Sequence, residues 1–145
     1  MKTINKTVIL LSVAISLLMW NCTEADKEFV HDSNIIDKLI CKATKDGTEF
    51  TGVITEYDKN GDIVTYEFEQ KDIEGGYGSV IFEIPDVYTN ELDLENVYIV
   101  ASVSWDQSIT PSLSGRHDIT GDGIVITVKS GKGTKRNYRI RGYYE

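Results

Sequence analysis

Residues 124–141, with the sequence IVITVKSGKGTKRNYRIR, decide the fold class. Apolar side chains occupy every second position in both halves of this segment: Ile124, Ile126, Val128, Tyr138 and Ile140. A period of two places alternate side chains on opposite faces of a β-strand, whereas an amphipathic helix would need a period of about 3.6. Gly131 and Gly133 separate the two halves. We therefore predict two antiparallel strands joined by a tight turn, with one face of the pair buried.

The same alternation recurs upstream, at residues 53–57, 64–68, 80–84 and 97–105. Glycine-containing turn signals accompany these segments, at residues 46–47, 60–61, 75–76 and 121–123. Residues 35–43 fit either a strand or one to two helical turns. About seven short strands, frequent turns and no long helix predict an all-β chain, an antiparallel β-sandwich. A small β-barrel is the alternative.

The N-terminus carries a different pattern. Lys2 and Lys6 precede a largely apolar run at residues 8–20, and the run ends at Asn21-Cys22. A helix of this length would reach roughly 20 Å, less than the roughly 30 Å of a bilayer core, so the run fits a secretion signal better than a membrane span. A cysteine at the cleavage edge predicts a lipoprotein in which Cys22 is acylated, although Trp20 departs from the small residue usual at that position.

These patterns predict three regions. Residues 1–21 form a lipoprotein signal peptide, residues 22–33 form the lipidated Cys22 with a flexible acidic tether, and residues 34–145 form the sandwich domain. The tether prediction depends on its low apolar content and high charge, because such a segment cannot pack. The expected location is the outer membrane, lipid-anchored and on the cell surface, with its periplasmic face as the alternative.

Charge limits the classes of partner. The chain has 15 basic and 23 acidic residues, a net charge of −8. Removing Lys2 and Lys6 with the leader leaves 13 basic residues and a net charge of −10. Such a chain repels phosphate polymers, so we predict no nucleic-acid partner. The basic residues that cluster near the C-terminus are Lys132, Lys135, Arg136, Arg139 and Arg141.

The cysteine count agrees with the anchor. If Cys22 is acylated, Cys41 has no intramolecular partner for a disulfide. Cys41 lies among Leu39, Ile40 and Ala43. A free cysteine in such surroundings behaves as a small hydrophobic residue, so we predict that Cys41 is buried.

Aromatic residues in loops are the candidate ligand-binding groups, because an exposed ring can stack on a sugar while nearby carboxylates and amides bond its hydroxyls. The candidates are Tyr77, Tyr88, Trp105 with Asp106 and Gln107, and the pair Tyr143-Tyr144. Tyr77 and Tyr88 are expected to be exposed. For Trp105 the favoured interpretation is core packing, since it continues the inward series of the strand at 97–105.

Metal and catalytic patterns are weak. Asp118 and Asp122, around Gly121, are the best metal candidates, but we predict no metal and no cofactor. The segment 58–62 has oxygen ligands, yet the glutamate that an EF-hand needs would fall inside a predicted strand, so a plain turn is expected. Without a nucleophile motif, a paired histidine or a metal cluster, we predict no catalytic residue.

The C-terminal half contains a succession of four short motifs. In chain order they are SITPS at 108–112, DIT at 118–120, IVITVKSG at 124–131 and TKRNYRI at 134–140. This succession resembles the tail of immunoglobulin-like domains in Bacteroidota surface lipoproteins, many of them domains of unknown function. The acidic residues after Cys22 also resemble the surface-export signal of that group. The resemblance implies an immunoglobulin-like sandwich at the cell surface, often beside glycan-uptake systems, and it implies no catalytic motif.

The function predicted from these observations is a lipid-anchored, non-catalytic module that binds a glycan or a protein. The membrane is then a partner through the lipid anchor, and an outer-membrane protein is a further candidate partner. A structural accessory subunit of an outer-membrane assembly is the first alternative, and a hydrolase is the second.

Overall fold

A computed structural model describes residues 30–43, 46–65 and 75–145. Residues 31–145 form one compact unit, and this unit contains all the described strands. The predicted signal peptide, Cys22 and most of the predicted tether lie outside the described residues, as do residues 66–68 of one predicted strand. Within the described ranges, no helix is long and apolar enough to cross a bilayer.

The described residues form ten β-strands and one 3₁₀ turn. The strands are β1 (Lys38–Lys42), β2 (Glu49–Thr51), β3 (Val53–Tyr57), β4 (Ile63–Val64), β5 (Tyr77–Ile84), β6 (Val97–Ser102), β7 (Ser108–Thr110), β8 (Arg116–His117), β9 (Ile124–Lys129) and β10 (Lys135–Tyr144). The 3₁₀ turn covers Asp86–Tyr88. Residues 38–42 are a strand and not a helix, because β1 pairs with both β2 and β6.

The strands form two open sheets. One has four strands in the order β2-β1-β6-β8, and the other has six in the order β4-β3-β5-β10-β9-β7. This confirms the all-β sandwich, and the sheets do not close into the alternative barrel. One pairing differs from the predicted antiparallel arrangement, since β10 runs parallel to β5. The strand number exceeds seven because β2, β4, β7 and β8 are two or three residues long. A period of two cannot be recognised in so few residues.

The core lies between the inward faces of the two sheets. Its fully enclosed members include Leu39, Cys41, Val80, Phe82, Ile84, Ile126, Val128, Tyr138 and Ile140. Cys41 is buried, as predicted, and burial raises the pKa of its thiol to about 12. The Tyr138 ring passes directly over Gly78, where a Cβ atom would lie 2.2 Å from a ring carbon. Glycine is therefore required at position 78 by this close approach.

One side chain of the C-terminal basic cluster points into this core. Arg136 is 1% exposed. Its Nε donates to Oδ1 of Asn34 at 3.1 Å, and its Nη1 donates to Oε2 of Glu56 at 3.2 Å. A buried charge is tolerated only when it is paired and hydrogen bonded, and both conditions are met here.

Tyr138 completes this network. Its hydroxyl donates to Oε1 of Glu56 at 2.5 Å and accepts the backbone N–H of Ile36 at 3.2 Å. Burial raises the pKa of the Glu56 carboxyl, and the bonds from Tyr138 and Arg136 only partly oppose that effect. Burial, followed by the neighbouring Glu56 charge, also raises the pKa of Tyr138. The network ties β3, β10 and the segment leading into β1 together inside the sandwich.

Candidate functional site

The outward face of the six-stranded sheet, which we call the outer face, is the candidate site. Strand β10 alternates strictly between exposed and buried residues from Lys135 to Gly142, with Tyr143 also exposed. Because Arg136, Tyr138 and Ile140 point inward, the odd-numbered residues of β10 point outward. These outward residues are Lys135, Asn137, Arg139, Arg141 and Tyr143.

Strand pairing extends this line into rows across the sheet. One row contains Tyr57, Tyr77, Asn137 and Thr127, which are cross-strand partners in turn. A second row contains Thr55, Ser79, Arg139 and Val125. A third contains Val53, Ile81 and Arg141, and a fourth contains Glu83 and Tyr143. The outer face thus carries aromatic, hydroxyl, amide and cationic groups on one continuous surface.

Three tyrosines on this face are held in place by neighbours. The rings of Tyr57 and Tyr77 stack with centroids 4.9 Å apart and an interplanar angle of 16°. Tyr77 is 44% exposed and Tyr143 is 45% exposed. The Tyr143 hydroxyl donates to Oε1 of Glu83 at 2.6 Å, a bond that raises the pKa of Tyr143. These rings therefore offer apolar surface to solvent in fixed positions.

A shallow depression of about 360 Å³ lies beside Tyr143. It is lined by Ile81, Gly121, Arg141, Gly142 and Tyr143. Here an aromatic ring and a guanidinium border the same recess, an arrangement that suits a ligand with both apolar and charged or polar groups.

Part of this face was predictable from the sequence and part was missed. Tyr77 and Tyr143 were among the aromatic candidates, and Arg139 and Arg141 were in the cationic cluster. Tyr57 was assigned to no site, because its partner across the sheet depends on strand pairing. The outward series of β10 was readable from the alternation of KxNxRxRxY at residues 135–143, which is the signal that could have identified the face.

Tyr88 does not share this surface. It ends the 3₁₀ turn after β5, and its ring packs edge-on against Phe50 with centroids 4.9 Å apart. The ring is half-buried against the core. The expectation of an exposed ring at Tyr88 is therefore not met. Tyr77 and Tyr88 also lie at opposite ends of β5, so the structure does not bring them together.

The core interpretation of Trp105 is wrong. Strand β6 ends at Ser102, three residues earlier than predicted, and the chain then turns. Trp105 is 73% exposed, and its ring meets the edge of His31 at a centroid distance of 5.9 Å. Once the backbone leaves the strand, alternation no longer specifies which way a side chain points.

Asp106 and Gln107, also predicted to bind a ligand, instead bind the N-terminal segment. Oδ2 of Asp106 accepts the backbone N–H of His31 at 2.6 Å. Nε2 of Gln107 donates to the backbone oxygen of Ser33 at 2.6 Å. The side chain of Asp106 is only 7% exposed. These two side chains hold residues 31–33 against the domain, so the compact unit begins at His31 and not at Asn34.

The hairpin between β9 and β10 holds the same segment from its other side. Thr134 donates its hydroxyl to the backbone oxygen of Asp32 at 3.0 Å, and Lys132 forms an ion pair with the Asp32 carboxylate at 3.0 Å. The last three residues of the predicted flexible tether are therefore ordered on the domain.

Of the two aspartates considered as metal ligands, Asp118 has its carboxylate engaged within a turn, and Asp122 accepts a bond through its backbone oxygen. Oδ1 of Asp118 accepts both the N–H and the hydroxyl of Thr120, which lowers the pKa of Asp118. The backbone oxygen of Asp122 accepts from Arg139 at 2.9 Å. Asp58 closes the turn from β3 to β4 by accepting the N–H groups of Asn60 and Asp62, which confirms the plain turn. No group of three His, Cys, Asp or Glu side chains within the described ranges could hold a metal ion.

Comparison with known proteins assigns the chain to no family. No family model and no curated protein matches the chain. One similar solved structure is that of a "putative secreted protein" from Bacteroides fragilis, with 17% identity and a TM-score of 0.45. The match covers 79% of this chain and 97% of that protein.

We predict that Asp106→Ala releases the segment entering the domain. The substitution removes the acceptor of the His31 N–H, so the His31 backbone amide should exchange at least about tenfold faster in hydrogen–deuterium exchange, an opening free energy lowered by roughly 1.4 kcal/mol. Asp93→Ala is the control, because it removes an exposed carboxylate that, within the described ranges, bonds only the nearby Glu95 N–H. Unchanged exchange of the His31 amide in the Asp106 variant would contradict this role.

Proposed function

We propose that this chain is a non-catalytic binding module whose outer face binds a saccharide. The observation that carries the proposal is the stacked Tyr57–Tyr77 pair on the same open sheet face as Tyr143. Sugar rings present apolar C–H faces that pack on aromatic rings, while their hydroxyls need hydrogen-bonding partners. Ser79 lies in a row between those of Tyr77 and Tyr143, and the Asn137 amide, which accepts the Thr127 hydroxyl at 2.7 Å, lies beside Tyr77.

The dimensions of the face suit an extended chain. Tyr77 and Tyr143 lie in rows six residues apart along β5 and β10. At about 3.3 Å per residue, these rows are roughly 20 Å apart. The binding surface therefore extends over several sugar units, and a long oligosaccharide is the expected ligand.

The proposed setting is the outer surface of a bacterial envelope, with the domain held by lipid on Cys22. The leader at residues 1–21 and the acidic segment after it support this setting. The motif succession at residues 108–140 supports an immunoglobulin-like member of the Bacteroidota surface lipoproteins. Two or more acyl chains would give a stable anchor without any membrane-spanning segment.

A different surface favours a second function. On the outward side of the four-stranded sheet, Ile40 lies opposite Val100, which is 53% exposed. Beside them the guanidinium of Arg116 lies 4.5 Å from the ring centre of Tyr98, which is 52% exposed. An exposed apolar pair next to an Arg–Tyr pair has the composition of a protein-binding surface. This face favours the structural accessory function.

We predict that Tyr77→Ala weakens saccharide binding about tenfold, because the loss of one stacking ring removes roughly 1.4 kcal/mol. The measurement is a glycan-array screen of the full chain in mild detergent, followed by titration of the best ligand. Tyr98→Ala is the matched control, since Tyr98 is similarly exposed but lies on the other sheet. Absence of any glycan ligand would contradict the saccharide proposal. A ligand affected by Tyr98→Ala and not by Tyr77→Ala would place the site on the four-stranded sheet.

We predict that Cys22→Ser abolishes lipid attachment and moves the processed chain from the membrane fraction to the soluble fraction. The acyl chains are the only anchor that the proposal contains. Cys41→Ala is the control, because Cys41 is buried in the core and should not affect fractionation. Intact-mass analysis and fractionation make the measurement. The anchor proposal fails if Cys22→Ser protein stays with membranes after its leader has been removed.

A further inference from the structure

The outer face gathers positive charge on a chain whose net charge is −8. Lys129 on β9 and Lys135 on β10 are direct cross-strand partners. Arg139 and Arg141 follow on the same side of β10. Like charges placed directly opposite each other destabilise a sheet, so the Lys129–Lys135 pairing is not explained by stability.

The protein itself neutralises little of this charge. Among the described residues, no ion pair or hydrogen bond engages the side chains of Lys129, Lys135 or Arg141. Arg139 gives one N–H to the Asp122 backbone oxygen and keeps its other donors. Elsewhere on the domain, lysines do pair: Lys42 with Glu49 at 2.7 Å, and Lys132 with Asp32. Within the described ranges, the outer face differs in leaving Lys129, Lys135 and Arg141 without a protein partner.

Among the residues that the structure describes, few carboxylates lie on the same face. On the described strands of the six-stranded sheet, Glu83 is the only outward-facing carboxylate, and it accepts the Tyr143 hydroxyl. The other glutamate on these strands, Glu56, is buried beside Arg136. An acidic chain that keeps one sheet face cationic has a local potential suited to an anionic ligand.

The cations follow the same line as the tyrosines. Lys135 and Arg141 are six residues apart on one strand, roughly 20 Å, with Arg139 between them. Arg141 and Tyr143 border the same depression. A ligand stretched along β10 therefore meets rings and positive charges alternately.

Resting on the proposed saccharide function, we infer that the ligand is an anionic polysaccharide whose sugars carry carboxylate or sulfate groups. The planar guanidinium forks of Arg139 and Arg141 can bond two oxygens of such a group at once. Lys129 and Lys135 supply point charges at the other end of the outer face, where β10 begins. The tyrosines pack against the sugar rings. A single-stranded nucleic acid also combines rings with charges, but the predicted export leader favours a polysaccharide outside the cell.

The test compares an acidic polysaccharide with its neutral ester, and with two polyanions that have other backbones. Full chain in mild detergent is titrated with polygalacturonate, with its neutral methyl ester, with dextran sulfate and with a single-stranded DNA oligonucleotide. We expect polygalacturonate or dextran sulfate to bind at least about tenfold more tightly than the methyl ester at low salt. The difference should shrink at about 0.5 M salt, because the charges are exposed and screened. The two acidic polymers distinguish carboxylate from sulfate recognition, and these measurements need no variant.

A pair of double variants then locates the site. Lys135→Gln with Arg141→Gln should weaken binding of the acidic polymer about tenfold, since two exposed charge contacts are lost. Lys38→Gln with Lys42→Gln removes the same net charge from exposed positions on β1, in the four-stranded sheet, and should change affinity less than about twofold.

Each other outcome has a defined meaning. Equal binding of the methyl ester, unaffected by the Lys135/Arg141 variant, would overturn the anionic ligand and leave the saccharide proposal standing. Failure of every polysaccharide to bind would overturn both. DNA bound as tightly as the acidic polysaccharides, with the same loss in the variant, would overturn the inference in favour of general polyanion binding. Equal losses in the two double variants would show a net-charge effect and would also overturn it.

Discussion

The buried contact between Arg136 and Glu56 is the interaction on which the rest of the structure depends. It joins β10 to β3 through Nη1 and Oε2 at 3.2 Å, with both side chains almost fully enclosed. Tyr138 bonds the other oxygen of Glu56, and Asn34 bonds the guanidinium Nε. Leaving one partner of such a pair buried alone costs about 3 to 5 kcal/mol. A chain of this size has total stability of only about 5 to 15 kcal/mol, so the pair must stay intact.

The same contact determines what faces solvent. A one-residue slip of β10 would turn Arg136 and Tyr138 outward and carry Arg139 and Arg141 into the apolar core. The network therefore specifies the register of β10, and through it the outer face with its tyrosines and cations. Parallel pairing with β5 then aligns Tyr77 with Asn137 and Glu83 with Tyr143. The inward side chains of β10 thus pack the core, and its outward side chains supply the outer face.

Much of the fold was predictable, because strand alternation reports burial directly. Ile126, Val128, Tyr138 and Ile140 are buried as the period of two in residues 124–141 predicts. Arg136 and Glu56 were not recognised, because a charged residue at an inward position opposes the hydropathy pattern and its partner is 80 residues away. Trp105 was misassigned because nothing in the alternation marks the end of β6 at Ser102. The roles of Asp106 and Gln107 depend on contacts 74 or 75 residues apart, which no local pattern encodes.

A double-mutant cycle on the free energy of unfolding tests the central contact most directly. The cycle compares Glu56→Gln, Arg136→Met and their combination by urea denaturation, with the exposed Lys42–Glu49 pair measured in parallel. We expect a coupling of about 2 kcal/mol for Glu56 and Arg136, against less than about 1 kcal/mol for the exposed pair. Coupling for the buried pair no larger than for Lys42–Glu49 would contradict it.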